Sequence, residues 1–155
     1  MLYRTPRDLV VELISLLGLT NVELSEDGSC GLLFDNETNV TLEPDPQRAT
    51  VLHLHAVVGS VPAERRARFY IHLLRGNYLG RATGHASLAL DAAGVAVLLQ
   101  LSLNTEQINV TTLGEHLTTF AKTAALWRQR LGRSEASASD EEFLSEASLA
   151  TMIRV

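Results

Sequence analysis

Two segments of this chain carry more apolar surface than a helix resting on a single sheet can hide. In "PRDLVVELISLL", residues 6–17, a wheel at 100° per residue spreads Leu16, Leu9, Leu13, Leu17, Val10, Ile14 and Val11 over roughly 220°. Only Asp8, Ser15 and Glu12 lie opposite. In "AERRARFYIHLLRGNYL", residues 63–79, an apolar arc of about 200° runs from Phe69 and Leu73 through Tyr70, Leu74, Ala67 and Tyr78 to Ile71, leaving Glu64, Arg65, Arg68, His72 and Arg75 for solvent. A helix lying on a sheet needs about half such an arc. The surplus must be covered by the chain's own tail or by another polypeptide. Val10, Val11 and Ile14 are the surplus of the first helix, and for the second a twofold homodimer in which it meets its own copy is the common solution.

Local signals place the remaining elements. Thr5-Pro6-Arg7-Asp8 reads as a helix start, with Thr5 as N-cap and Pro6 at the first position, and Gly18 as the stop. "SCGLLFD", "TNVTLE" and "TVLHLHAVVG" alternate apolar and polar residues and predict a three-stranded meander, closed after its second strand by Pro44 and Pro46. Pro62 opens the second helix. "HASLAL" and "VAVLLQLSL", joined by "DAAG", predict a hairpin with Val95, Val97, Leu99, Leu101 and Leu103 on one face. A third helix is expected from Thr112 to Leu131, with one stripe of Leu113, Leu117, Phe120, Ala124, Trp127 and Leu131 and a stop at Gly132. The order α-β-β-β-α-β-β-α predicts an α+β fold, an antiparallel sheet packed by helices. Residues 1–131 form one domain. Residues 132–155 are an acidic Ser/Ala/Glu-rich tail, with a short amphipathic helix expected around Phe143, Leu144, Ala147 and Ile153.

Composition removes several function classes. A net charge of -5 disfavours binding to a phosphate backbone, so nucleic acid is not an expected partner. No 18-residue apolar run spans a membrane, and the start "MLYRTPRDL" lacks the pattern of a signal peptide, so a cytoplasmic protein is expected. The lone Cys30 sits in an apolar strand as a small core residue. His53 and His55 share a strand face at a spacing that suits two metal ligands, but no further ligand cluster completes a site, so exposed strand histidines are expected. His72, His85 and His116 have no nucleophile context, and Glu12, Asp35 and Glu43 give no sign of pairing. No catalytic residue, metal or cofactor is expected.

The segment "LLRGNYLGRATG" places Gly76, Gly80 and Gly84 four apart. Arg75, Asn77, Arg81 and Thr83 exclude a membrane helix-pairing motif, and the glycines follow a helix, which excludes a phosphate loop. Gly76 and Gly80 suit a helix loosening at its end, with close approach at a dimer seam a further use; Gly84 suits a tight strand entry.

"LLRGNYLGRATGHASLALDAAGVAVLLQLSL", followed by a helix ending "TAALWRQRL", resembles the small type III secretion chaperones of the CesT/SycE-like (class I, Tir chaperone) family. Leu73, Leu74, Asn77, Leu79, Thr83, Gly84, Leu88, Leu90, Asp91, Gly94 and Trp127 occupy the family's characteristic places, and the likeness spans about residues 5 to 131. The resemblance implies a bacterial cytoplasmic homodimer, without enzymatic activity or cofactor. It would hold the N-terminal segment of one or more secreted effectors in extended form, soluble and ready for export. The export-apparatus ATPase is a further implied partner. Strand addition plus apolar pockets is the physics of such a site. The expected cargo-binding residues are Val10, Leu13, Ile14, Leu17, Leu32, Phe34, Val40 and Leu42; the expected dimer interface is Ala67, Tyr70, Leu73, Leu74, Asn77 and Tyr78. A homodimeric adaptor for a folded partner and a small enzyme with a site across the dimer are the alternatives.

Overall fold

The computed structural model describes residues 5–136, and the expected helix around Phe143 lies outside them. Three α-helices, α1 (Pro6–Leu16), α2 (Arg66–Gly76) and α3 (Val110–Ala136), accompany strands β1 (Cys30–Phe34), β2 (Thr38–Pro44), β3 (Val51–Ser60), β4 (Ser87–Leu90) and β5 (Ala96–Asn104). The strands form one sheet in the order β1-β2-β3-β5-β4. The paired registers of β1 with β2, β2 with β3 and β4 with β5 are antiparallel. The α+β order and the meander therefore match the expectation. Contacts cluster into two compact units: residues 5–56 with 101–122, and residues 57–100 with 123–136.

In the first unit, α1 starts as its sequence dictates. The Thr5 hydroxyl accepts from the Asp8 N–H at 3.2 Å while the Thr5 N–H donates to the Asp8 carboxylate at 3.1 Å, a reciprocal capping box. Gly18, at φ +65°, ends the helix, with the Leu19 N–H donating to the Ile14 carbonyl. The β1–β2 connection turns through Asp35 and Asn36, both left-handed, which suits the tight twist of a hairpin. Leu9, Val10, Leu13, Leu32, Val40, Leu42, Leu52, Leu54, Leu113 and Leu117 form the core of this unit. Cys30 lies among them, 4% exposed, and burial pushes its thiol pKa up.

In the second unit the core is Val58, Phe69, Leu73, Leu88, Val97, Leu99, Ala124, Trp127 and Leu131. Trp127 is its largest member, and its indole N–H donates to the Ala82 carbonyl at 2.9 Å. Asn77 acts as a strand mimic: its amide donates to the Leu88 carbonyl at 3.0 Å and its carbonyl accepts the Leu88 N–H at 2.7 Å. Asn77→Ala leaves both buried strand groups unpaired and is expected to cost about 2 kcal/mol in urea unfolding. A loss below about 0.5 kcal/mol would show that the pair is replaceable.

Several boundaries differ from expectation. Pro62 does not open α2; the chain passes through Arg65 at φ +56° before the helix begins at Arg66. The strand expected from His85 begins at Ser87, because His85 is left-handed at φ +67°. Gly132 does not stop α3, which continues to Ala136: a helical glycine costs only about 1 kcal/mol, and here Leu131 is buried beside it. Val95, placed with the strand face of Val97 and Leu99, precedes β5 and is 60% exposed.

Candidate functional site

The buried residues of α1, Leu9, Val10, Leu13 and Ile14, cover an arc of about 140° at 100° per residue. The helix thus hides more than a narrow stripe, and Val10 and Ile14 belong to the interior. The surplus lies elsewhere: Val11 is 48% exposed, and Leu16 and Leu17, where the helix ends, are 64% and 50% exposed. Arg7, Asp8, Val11, Glu12, Ser15 and Leu16 line one shallow groove along the outer face of α1. Leu19 extends the apolar run past the helix, and Leu33 of the edge strand β1 is also exposed.

Of the expected cargo-binding residues, Val10, Leu13, Ile14, Leu32, Val40 and Leu42 are buried within the chain's own core; Phe34 is half-buried and Leu17 exposed. The six do not present a surface in this conformation. Sequence reasoning passed over Leu16, Leu19 and Leu33. A wheel carried the signal for Leu16, but it cannot show where a helix outruns the layer beneath it.

Helix α2 has three faces. Phe69, Leu73 and Gly76, spaced four and three, are buried. Nearly opposite stand Ala67, Ile71 and Leu74, all exposed, and Tyr78 and Leu79 extend this surface beyond the helix. Arg68, His72 and Arg75 form the third. Among the expected interface residues, then, Ala67, Leu74 and Tyr78 are exposed and Tyr70 is half-buried with its ring edge-on to Phe69. Leu73 belongs to the core and Asn77 pins β4. Ile71 was absent from that set although it lay on the apolar arc.

The strand histidines are not simply solvated. The His53 ring bridges Asp45 at 2.8 Å through Nε2 and the Ser102 hydroxyl at 2.9 Å through Nδ1, and His55 meets Glu43 at 3.0 Å. Glu43, read as unpaired, thus has an imidazole partner. Serine, histidine and aspartate in a row suggest a hydrolytic relay, but Arg48 also holds Asp45, through Nε at 2.9 Å and Nη2 at 2.7 Å. A carboxylate neutralised by a guanidinium is a poor counter-ion for a developing imidazolium. The chain Arg48–Asp45–His53–Ser102 instead ties the turn after β2 to β3 and β5. His53 first, then Arg48, hold the Asp45 carboxyl well below the usual carboxylate range. A depressed folded pKa gives stability that is complete above the unfolded value of about 3.9 and is lost as pH falls below it. Asp45→Asn should therefore lower the thermal midpoint at pH 7, and the gap to wild type should close as the pH is lowered below that value. A constant gap across thermal scans would refute the ion-pair assignment. Among the described residues, no group of three or more His, Cys, Asp or Glu side chains is placed to hold a metal, and no helix is long and apolar enough to cross a membrane.

Comparison with known proteins gives a consistent result. Residues 8–128 match the model of the Tir chaperone protein (CesT) family. A curated protein of Chlamydia pneumoniae is 29% identical over 94 residues, 59% of this chain and 71% of its own. The ExsC–ExsE complex superposes with a TM-score of 0.65 at 25% identity, covering 81% of this chain and 92% of that one. The Yersinia pestis type III secretion chaperone SycH, solved with a fragment of YscM2, gives 0.60 at 26% identity over 79% and 99%. The HopA1–SchA chaperone–effector complex, 21% identical with a TM-score of 0.63 over 78% and 91%, shares the fold.

Proposed function

Because the chain belongs to the Tir chaperone (CesT) family, we propose that it is a type III secretion chaperone that binds the N-terminal segment of a secreted effector in extended form. The observation that carries this reading is the apolar surface of the first unit, where Val11, Leu16 and Leu17 of α1 stand exposed and β1 lies at the sheet edge. An extended segment can add its backbone to a sheet edge and seat alternate apolar side chains against such a surface. Leu17 and Phe34 are the expected contact residues that a cargo chain reaches directly. Val10, Leu13, Ile14, Leu32, Val40 and Leu42 serve as the support beneath them. Ordering an unfolded segment opposes binding, so burial on the order of 1,000 Å² or more is required.

The working unit is a homodimer joined through the exposed face of α2, in the bacterial cytoplasm, and it holds cargo without chemistry of its own. Two other structures that share its fold were solved as complexes with a second protein, which supports an effector as partner.

Val11→Asp/Leu16→Asp tests the assignment in capture of a denatured N-terminal segment of a candidate effector. Both positions lie outside the core, so circular dichroism should be unchanged. Capture should weaken about tenfold or more, a loss of at least about 1.4 kcal/mol. Wild-type affinity in the variant would remove α1 from the site; failure of wild type to bind the denatured segment while binding a folded partner would favour an adaptor.

A further inference from the structure

Between the end of α2 at Gly76 and the start of β4 at Ser87 the chain turns back on itself through left-handed positions. Glycine fills two of them, Gly80 and Gly84, but Leu79 takes φ +54° and ψ 17° with a full side chain. In that conformation the leucine Cβ crowds the following carbonyl oxygen, a strain glycine does not feel. The turn is held from within. The Asn77 amide grips the Leu88 backbone, the Gly80 carbonyl accepts the His85 N–H at 2.9 Å, and the Thr83 hydroxyl donates to the Ala86 carbonyl at 2.6 Å. None of these bonds involves the Leu79 side chain, which is 61% exposed.

Two costs therefore meet at one residue: a strained backbone and a bare aliphatic side chain. Glycine or asparagine would serve the turn without either. A strained, exposed leucine that the subunit does not use points to a contact outside it.

The area argues for what that contact is. Ile71, Leu74, Tyr78 and Leu79 together leave roughly 500 Å² bare on each subunit, so a twofold contact through them buries about 1,000 Å², where specific interfaces begin. Without Leu79 the same contact buries only about 800 Å², the range of adventitious encounters.

We propose that Leu79 is a contact residue for a second copy of this chain, its left-handed turn presenting an apolar side chain at the end of the α2 face. The inference rests on the homodimer reading and adds to it a residue that the turn itself does not require.

The test compares two substitutions in the full chain by sedimentation equilibrium. Leu79→Asn keeps a residue at ease in the left-handed region and removes the apolar contact; Leu79→Met keeps the contact. The dimer dissociation constant should rise about tenfold or more in the first and stay within about threefold in the second. Added to the monomeric Ile71→Asp/Leu74→Asp protein, Leu79→Asn should leave the urea midpoint unchanged or raise it. A wild type that is monomeric at high concentration, or a dimer that Ile71→Asp/Leu74→Asp leaves intact, refutes the α2 reading and this inference with it. A dimer broken by that pair yet indifferent to Leu79→Asn overturns the inference alone. So does a lowered urea midpoint in the monomer, or a Leu79→Asn protein that dimerises normally but loses capture of a denatured effector segment.

Discussion

Gly76→Ala is expected to destabilise the protein by about 2 kcal/mol, although the same change in an open helix would stabilise it by about 1 kcal/mol. The sign follows from what a methyl group would meet. A Cβ on Gly76 would stand 2.6 Å and 2.8 Å from Cη2 and Cζ2 of Trp127 and 2.9 Å from Cδ1 of Leu88. The indole has nowhere to retreat, since it is 2% exposed and its N–H is fixed on the Ala82 carbonyl. His72 and Arg130 occupy its flanks. Overpacking a rigid core site costs about 1–3 kcal/mol or more, which exceeds the propensity gain. Urea unfolding decides the sign, and Gly76→Ala/Trp127→Phe should recover part of the loss relative to Trp127→Phe alone, because the smaller ring vacates the clash. A Gly76→Ala protein as stable as wild type would mean that the α2–Trp127 contact is looser than described.

That contact explains a glycine whose sequence context pointed elsewhere. Within the fourfold spacing, Gly76 and Gly80 suggested a loosening helix end or a seam between subunits, and Gly84 a tight strand entry. Gly80 and Gly84 do take left-handed conformations, at φ +66° and +59°. Gly76 closes α2, and its missing side chain makes room for an indole from α3 in the same subunit. No local pattern announces a packing partner so distant in sequence.

The same division runs through the rest of the molecule. Thr5, Pro6, Asp8 and Gly18 act within a few residues of themselves, so the start and stop of α1 were legible. Strand alternation was legible because β3 buries Leu52, Leu54, Ala56 and Val58 while turning the residues between them outward. Pro62 misled because a proline at a helix start and one in the preceding loop look alike until Arg65 is seen in its left-handed turn. Long-range pairing was invisible: His53 draws one partner from the turn after β2 and the other from β5. The wheel argument gave the right excess but misassigned some of it, since Val10 and Ile14 are covered by the chain itself while Leu16 and Leu17 are not.

For α2 the excess survives folding, and its removal should have the largest functional effect. Ile71 and Leu74 are 51% and 70% exposed on the side away from Phe69 and Leu73, with Tyr78 at 62% continuing the surface. In a twofold dimer each residue enters the interface twice. Four aliphatic side chains at about 1.5 kcal/mol each place on the order of 6 kcal/mol at stake, and aspartates facing each other across the axis add repulsion. Ile71→Asp/Leu74→Asp should therefore weaken self-association by about four decades, leaving a monomer in sedimentation equilibrium at concentrations where the proposed wild-type dimer persists. Far-UV circular dichroism should not change, because neither side chain supports the core. A wild-type monomer at high concentration would refute the homodimer, and a variant that dimerises as tightly would place its interface elsewhere. If the variant is monomeric and still captures effector, the proposed cargo surface of the first unit works without the dimer; loss of both would show that a bound segment must span two subunits to bury enough area.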